Sequence, residues 1–354
     1  DTIAVGAIGE DSLQTTITNG MTSSDNTSNS DSGAVYVYKR YGGFWIQEAY
    51  IKAANNDDND SFGHSVSIDG DTLVVGAIWE DSPQSTITTT TSDDNNTYLE
   101  SGAVYIYKRT GSSWALEAYI KAANVDNYSQ FGHSVSLAGD LLAVGVHLED
   151  SPLTTITNGT SASSDNSSSS ASGAVYVYKR DGTSWAQEAY IKASNSEAGD
   201  LFGWSVSIDN DTLVVGAYAE DSNQSTISND NSSASSDNSV VGSGAAYVYK
   251  RTGTSWEQEA YIKAVNSTAE DNFGYSVSID GDILAVGAYL EDSAQTTIIN
   301  GTTASDNNSK SASGAVYVYK RTGTSWAQDA YIKASNSEAS DKFGEVVFID
   351  GNTI

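Results

Sequence analysis

Apolar and polar residues follow one short pattern that recurs five times along the chain. In one copy, Phe62–Asp69 ("FGHSVSID") alternates Ser and Val at the two-residue period of a strand. After an Asp-Gly turn, Thr72–Ile78 ("TLVVGAI") is nearly all apolar, which predicts a strand buried on both faces. Gly102–Arg109 ("GAVYIYKR") and Trp114–Ala122 ("WALEAYIKA") predict a third and a fourth strand.

The repeat length indicates how these strands assemble. The units recur about every 70 residues, and roughly twenty of these form a polar insert between the second and third strands. No segment shows a 3.6-residue apolar stripe, which excludes helical solenoids. Four antiparallel strands with hairpin-sized links are typical of a propeller blade. The sequence therefore predicts an all-β fold: a β-propeller of five four-stranded antiparallel blades, with long polar inserts between strands 2 and 3.

The phase of the repeat predicts a single propeller domain over residues 1–354. Its units are 1–61 with a closing strand from 343–354, then 62–130, 131–201, 202–272 and 273–342. The chain begins within a second strand and ends just after a first strand. If these two strands paired, the ring would close without an open edge. Because Asn352–Ile354 would repeat the phase of Asp1–Ile3, we expect one segment to fray, or further repeats to follow in the natural protein.

Aromatic residues recur at fixed places in the repeat. The recurring tryptophans are Trp45, Trp114, Trp185, Trp256 and Trp326. We expect them to fill the wedges between blades, and a ring of sugar-stacking platforms is the alternative. Trp79 and Trp204 lie outside this position and are better candidates for exposed aromatic contacts.

Charge narrows the classes of partner. The net charge of −29 argues against nucleic acid, which is bound through basic patches. No apolar run is long enough to insert into a membrane, and the absence of Cys excludes disulfides. All but Lys310 and Lys342 of the 17 Lys and Arg occupy three fixed places per repeat. We expect residues such as Arg109 and Lys121 to form exposed pairs that offset nearby acidic charge.

Acidic residues recur at two points of each unit and are the candidate metal ligands. One point is the "EDS" that ends each second strand, and the other lies within the following insert. The candidate ligands are Asp11, Asp25, Asp81, Asp93, Asp150, Asp165, Asp221, Asp237, Asp292 and Asp306. Carboxylate and amide oxygens are ligands that calcium prefers, so we expect calcium to order the inserts. The alternative is a solvated loop whose Asp and Asn residues cap turns.

Catalytic signals are weak. His64 and His133 hold equivalent places that carry Trp, Tyr or Glu in the other units, which is typical of ordinary strand residues; His147 is the third histidine. No nucleophile motif or phosphate-binding loop is present. The five acidic pairs allow acid–base chemistry on a glycan but define no single distinguished pocket. The Asn-x-Ser/Thr sequences of the inserts arise readily by chance in loops of this composition.

The residues quoted above resemble the FG-GAP repeat of integrin α-subunit propellers and of many bacterial surface proteins. The resemblance rests on Phe62-Gly63, "VGA" at Val75–Ala77 and "GAVYIY" at Gly102–Tyr107, in the same order in every unit. It implies a β-propeller with an extracellular role in binding or adhesion. The "GAP" lacks its Pro here, and integrin-type propellers have more repeats than the five seen here. The first hairpin link is also too short for the family's calcium loop, so that site does not carry over.

These observations predict a non-enzymatic extracellular or cell-surface module for adhesion or ligand binding, with calcium as a stabilising ion. Its expected partner is a protein or glycan ligand at the cell surface, with no nucleic acid and no membrane insertion. One alternative is a structural subunit that self-associates into an extracellular fibre or sheath. A second alternative is a carbohydrate-active enzyme.

Overall fold

Every regular element of the described chain is a β-strand. The computed structural model describes residues 1–24, 27–91, 96–164, 167–230, 234–351 and 353–354. These residues form five antiparallel sheets, here called blades 1 to 5 in chain order. Among the residues so described, no helix has the length and hydrophobicity to cross a membrane.

The strand bounds repeat from blade to blade. Blade 1 contains β1 (Thr2–Ala7), β2 (Thr18–Asn19), β3 (Ala34–Tyr41) and β4 (Phe44–Ile51). Blade 2 contains β5 (Phe62–Asp69), β6 (Thr72–Ala77), β7 (Ala103–Thr110) and β8 (Ser113–Ile120). Blade 3 contains β9 (Ser134–Ala138), β10 (Leu141–Val146), β11 (Thr157–Asn158), β12 (Ala174–Asp181) and β13 (Ser184–Ile191).

The last two blades follow the same plan. Blade 4 contains β14 (Ser205–Asp209), β15 (Thr212–Ala217), β16 (Ala245–Thr252) and β17 (Ser255–Ile262). Blade 5 contains β18 (Phe273–Asp280), β19 (Ile283–Ala288), β20 (Ile299–Asn300), β21 (Ala315–Thr322) and β22 (Ser325–Ile332). The predicted fold class is confirmed, and the four strands predicted in blade 2 lie within two residues of their observed ends.

The order of the long strands within each blade follows the chain. In blade 2 it is β5-β6-β7-β8, with β5 on the inner side. The six residues of β6 are all buried, as its apolar sequence predicts. In blades 1, 3 and 5 a two-residue strand from the insert (β2, β11 or β20) adds to the outer edge of the sheet. Inner strands of blades 2 to 5 contact one another in series: β5 with β9, β9 with β14 and β14 with β18. In blade 1, β1 holds the position of a second strand and contacts β5.

The recurring glycines mark the place where two blades touch. A Cβ on Gly76 would lie 2.2 Å from the carbonyl oxygen of Gly132 in the next blade. The Ser65 hydroxyl donates to the same oxygen at 2.7 Å, and the Ser67 hydroxyl accepts the Leu137 amide at 3.0 Å. The "VGA" and "FG" signatures are therefore explained by close backbone approach between blades.

The recurring tryptophans join blades at the outer side. Trp114 donates through Nε1 to Glu48 of the preceding blade at 3.2 Å, and Arg109 donates to the same carboxylate at 2.9 Å. Trp256 is 1% exposed, whereas Trp45, in blade 1, is 46% exposed. Burial in blades 2 to 5 supports the predicted packing role and leaves those four rings no face for sugar stacking.

The expected closing strand does not form in the part of the chain that the structure describes. Residues 343–351 lie beside β18, where Ile349 donates to Ser278 at 3.0 Å and Gly351 donates to Asp280 at 2.6 Å. They make the contacts that an inner strand makes with the blade before it, and blade 1 begins at β1. Val346 and Phe348 are consequently 83% and 74% exposed. The division of the chain into one closed domain stays a prediction.

Candidate functional site

The glutamate of each "EDS" belongs to a buried ion pair. Its Oε2 lies between 2.6 and 2.8 Å from the Nζ of the lysine that follows the fourth strand of the same blade. The glutamates are Glu10, Glu80, Glu149, Glu220 and Glu291, and their partners are Lys52, Lys121, Lys192, Lys263 and Lys333. In blades 2 to 5 both partners are buried, so the expectation of exposed pairs was wrong for these lysines.

Hydrogen bonds complete this pair into a network. In blade 2, Lys121 also donates to the Ser101 hydroxyl at 2.7 Å, and Asn55 from the preceding loop donates to Glu80 at 3.0 Å. Burial lowers the pKa of Lys121, and the attraction of Glu80 opposes that shift. Because every member is hydrogen-bonded inside the blade, the network is a structural element and leaves the glutamates unavailable to a ligand.

Arg109 is also buried, against expectation. It pairs with Glu48 of the preceding blade at 2.9 Å and with the exposed Asp71 at 2.7 Å. Its guanidinium lies 5.2 Å from the Trp114 ring centroid. The same Arg, Trp and Glu arrangement recurs at Arg180, Arg251 and Arg321. The sequence shows that these residues repeat but cannot show that their partners lie in another blade.

The aspartate of each "EDS" closes its insert. Its Oδ1 accepts a backbone amide from the other end of the insert, at 2.6 to 2.9 Å. The amides belong to Asp31, Glu100, Ala171, Gly242 and Ala312, and the accepting carboxylates to Asp11, Asp81, Asp150, Asp221 and Asp292. All five donors have positive φ, between 50° and 61°. These aspartates therefore hold a tight backbone conformation in place.

The second acidic point is described in two blades. Asp25, Asp93 and Asp165 lie outside the described residues. In blade 4, the Asn223 amide donates to the carbonyl of Asp237 at 3.1 Å, and the Asn223 side chain donates to its carboxylate at 2.9 Å. In blade 5, the backbone carbonyl of Asp306 accepts the Asn308 amide at 3.2 Å. Within the described ranges no group of three or more His, Asp or Glu is arranged to hold a metal ion. Calcium stays a prediction.

Three aspartates that the sequence analysis did not single out are buried in the structure. Asp60, Asp200 and Asp271 stand two residues before the Phe of the "FG" pair, and each accepts an amide three residues back, at 2.7 to 2.9 Å. Burial raises the pKa of Asp60 to about 8 and those of Asp200 and Asp271 to about 7. The recurrence of Asp at this place was visible in the sequence, but its burial was not.

Aromatic rings from four blades form a continuous row, here called the aromatic belt. Ring centroids are 5.1 Å apart for His64 and His133, 4.5 Å for His133 and Trp204, and 5.3 Å for Trp204 and Tyr275. Tyr289 continues the row 4.2 Å from Tyr275. These residues stand directly after the "FG" pair or the "GA" of the second strand. Both places lie at the same end of the strands, because Phe62 pairs with Ala77.

Two more rings widen the aromatic belt. His147 lies 3.9 Å from His133, and Tyr218 lies 4.8 Å from Trp204. His64 is exposed, His147 is buried, and the other belt residues are half-buried. Burial, reinforced by neighbouring histidines, lowers the pKa of His133 to about 2 and that of His147 to about 4. Both rings are therefore neutral at physiological pH, and the half-buried His133 adds an uncharged aromatic ring to the surface of the belt.

The aromatic belt was not predicted from the sequence. The residue after "FG" varies among units, which favoured an ordinary strand position, but four of the five are aromatic or imidazole rings. Trp204, which the sequence marked as a candidate for an exposed aromatic contact, is half-buried in the belt, so its ring is only partly open to solvent. Trp79, the other such candidate, is 38% exposed and lies on the same end of blade 2.

The five antiparallel sheets and the contacts between strands of consecutive blades define the protein as a β-propeller built from repeats. The FG-GAP repeat family model matches residues 45–107, 185–249 and 256–319, more than half of the chain. The chain therefore belongs to the FG-GAP repeat family. Each matched segment begins at a recurring Trp in the fourth strand and ends in the third strand of the next blade, so it spans one blade interface. No curated protein matches the chain.

Proposed function

We propose that this protein is a non-enzymatic binding module of the extracellular space or cell surface that attaches to its ligand through the aromatic belt. The observation that carries the proposal is a difference between two sets of positions within the repeat. The residues that repeat without change, such as Trp114, Glu80 and Lys121, are buried by packing between and within blades. The residues at the belt positions differ from unit to unit, and packing alone gives no reason for that difference.

The chemistry of the belt favours a ligand with flat apolar faces. Aromatic side chains bury large areas at small entropic cost and are enriched in binding interfaces. Trp204, Tyr218 and Tyr275 are half-buried, so each ring is held by its neighbours and still has surface to offer. A glycan or a protein surface with exposed apolar groups fits this description.

Several features support a binding role over catalysis. FG-GAP propellers are generally binding modules, and membership of this family is shown by more than half of the chain. The carboxylates of the "EDS" motifs, which acid–base chemistry on a glycan would use, are engaged in ion pairs and loop closure. His133 and His147 have pKa values too low for proton transfer near neutral pH. We infer a module that recognises its ligand without transforming it.

Binding to arrays of glycans and extracellular proteins, by the wild type and by Trp204→Ala and Tyr275→Ala, tests the proposal. We expect at least a tenfold loss of affinity for the captured ligand in each belt variant, while a thermal melt shows that each variant is still folded at the temperature of the binding assay. Phe44→Ala is the matched control, because Phe44 is a 77% exposed aromatic residue of β4 in blade 1, outside the belt. Equal affinity of wild type and both belt variants would refute the belt as the binding surface.

Sizing of the purified chain separates this proposal from the structural alternative. A monomer with ligand affinity supports the binding module. Large regular assemblies in light scattering or electron micrographs, together with no captured ligand, would favour a subunit of a fibre or sheath instead.

A further inference from the structure

A cavity of about 390 Å³ opens on blade 2, at the same end as the aromatic belt. It is lined by Asp58, Asn59, Trp79, Asp81, Leu99, Glu100 and Tyr128. The volume is within the range of small-molecule sites. Trp79 is 38% exposed and Tyr128 is 52% exposed, so two aromatic rings are open to solvent at one cavity.

Blade 2 departs from the other blades at the three apolar residues of this lining. The equivalents of Trp79 are Gly9, Leu148, Ala219 and Leu290. The equivalents of Leu99 are Ser30, Ser170, Val241 and Ser311, and those of Tyr128 are Asn59, Gly199, Glu270 and Ser340. Since the other blades fold without these side chains, the fold itself does not require them. Their coincidence at one cavity is what a site specific to blade 2 would show.

Backbone hydrogen bonds hold the cavity walls in place. The Tyr128 amide donates to the Leu99 carbonyl at 2.7 Å, and the Glu100 amide donates to the Asp81 carboxylate at 2.6 Å. On the opposite wall, the Trp79 amide donates to the Asp60 carbonyl at 3.3 Å. Loops from both sides of blade 2 are thus tied to the insert, and a ligand would meet a largely preformed site.

The lining combines aromatic faces with hydrogen-bond acceptors. Asp58, Asp81 and Glu100 supply carboxylate oxygens, Asn59 supplies an amide, and the seven lining residues include no Lys or Arg. An anionic ligand would be repelled, and a purely apolar ligand would displace water from the exposed Asp58 carboxylate without replacing its hydrogen bonds. A neutral sugar ring presents C–H groups to an aromatic face and hydroxyl donors to carboxylates, and so satisfies both parts of the lining.

We infer that this cavity, here called the Trp79 cavity, binds a neutral saccharide, with Trp79 and Tyr128 as stacking platforms and Asp58 and Asn59 as hydroxyl partners. The inference rests on the proposed binding function and names a ligand class for one part of that face. It requires no metal and no covalent step.

The test uses residues that this chain already places at equivalent positions. Trp79→Leu copies Leu148 and Leu290, and Tyr128→Asn copies Asn59. Asn also suits the backbone at residue 128, whose φ is 64°. Neither variant should therefore impair folding, which a thermal melt checks directly.

The measurement is titration with glucose, galactose, mannose and N-acetylglucosamine and their disaccharides, followed by tryptophan fluorescence and by NMR of the sugar. We expect saturable binding of at least one sugar by the wild type and at least a tenfold weaker affinity in each variant. Choline and lysine methyl ester serve as cationic probes, because carboxylates with aromatic walls also attract cations.

The outcomes separate this inference from the proposed function. Saturable sugar binding that Trp204→Ala retains and Trp79→Leu loses would establish the Trp79 cavity as a site of its own. Sugar binding unchanged in Trp79→Leu would overturn the Trp79 cavity and leave the belt proposal standing. No binding of any neutral sugar, or saturation by the cationic probes alone, would overturn the saccharide assignment.

Discussion

The Nζ of Lys121 lies 2.6 Å from Oε2 of Glu80, and neither side chain has appreciable contact with solvent. The two residues are 41 positions apart in sequence and join the end of the fourth strand to the end of the second. A buried charge without its partner is strongly destabilising, because nothing then offsets the cost of removing that charge from water. This pair is present in each of the five blades. It connects the end of the second strand, where the insert begins, to the fourth strand of the same sheet.

Removing one member of the pair should be costly. We expect Lys121→Met to lower the free energy of unfolding by about 3–5 kcal/mol, because it leaves Glu80 buried and unpaired. Urea denaturation measures the difference. Arg40→Ala is the control: Arg40 is largely exposed and 3.8 Å from Asp1, so its loss should cost less than about 1 kcal/mol. Equal effects of the two changes would contradict the buried-pair interpretation.

The recurring tryptophans offer a matched comparison within one chain. Trp256→Ala should cost about 3–5 kcal/mol, the usual range for removing a buried large aromatic. Trp45→Ala should cost less than about 1 kcal/mol, since Trp45 is 46% exposed. Chemical denaturation of both variants gives the two values. A small loss at Trp256 would mean that its ring does not hold blades 3 and 4 together.

The buried aspartates predict that stability rises as the pH falls from about 8.5 to about 6.5. Burial raises the pKa of Asp60 to about 8 and those of Asp200 and Asp271 to about 7, whereas unfolded Asp titrates near pH 3.9. The folded state therefore binds more protons, and the stability that these groups contribute below about pH 4 is lost as the pH rises through 7 to 8. Thermal melts across this window measure the change.

A variant with Asn at all three positions is the control for this pH dependence. Asn keeps an acceptor for the amides of Asp57, Glu197 and Thr268 but does not titrate. We expect its melting temperature to vary less between about pH 6.5 and 8.5 and to exceed that of the wild type at the upper end. The window stays above about pH 6.5 because His133 and His147, with lowered pKa values, destabilise the folded state at lower pH. A wild-type midpoint that falls on acidification within the window would refute the assignment.

Calcium should raise the melting temperature if the acidic inserts bind it. Binding to the folded state alone adds RT ln(1 + [L]/Kd), about 2.7 kcal/mol at a hundredfold excess over Kd. Melts with millimolar calcium and with chelator measure the effect. Asp221→Asn is a suitable variant, because an amide oxygen retains the acceptor for the Gly242 amide while the charge is lost. Identical midpoints in calcium and chelator would leave the inserts as loops closed by hydrogen bonds alone.

The sequence by itself determined the strands, the repeat and the class of fold. Residues 62–69 and 72–77 form strands where the two-residue alternation and the apolar run place them. These signals are local: alternation sets which face a side chain takes, and an Asp-Gly pair sets the turn. Five copies of the same signal make the assignment secure, since a blade cannot bury its faces without neighbours.

Only the tertiary structure decided which residues meet across blades. Arg109 and Glu48 are 61 positions apart, and their pairing depends on how one blade packs against the next. The aromatic belt likewise joins residue 64 to residues near 133, 204 and 275, and the Trp79 cavity draws its walls from three separate loops. A pattern along the chain fixes the direction of a side chain within its own strand. It carries no information on the distance between strands of different blades, which close packing of the whole molecule sets.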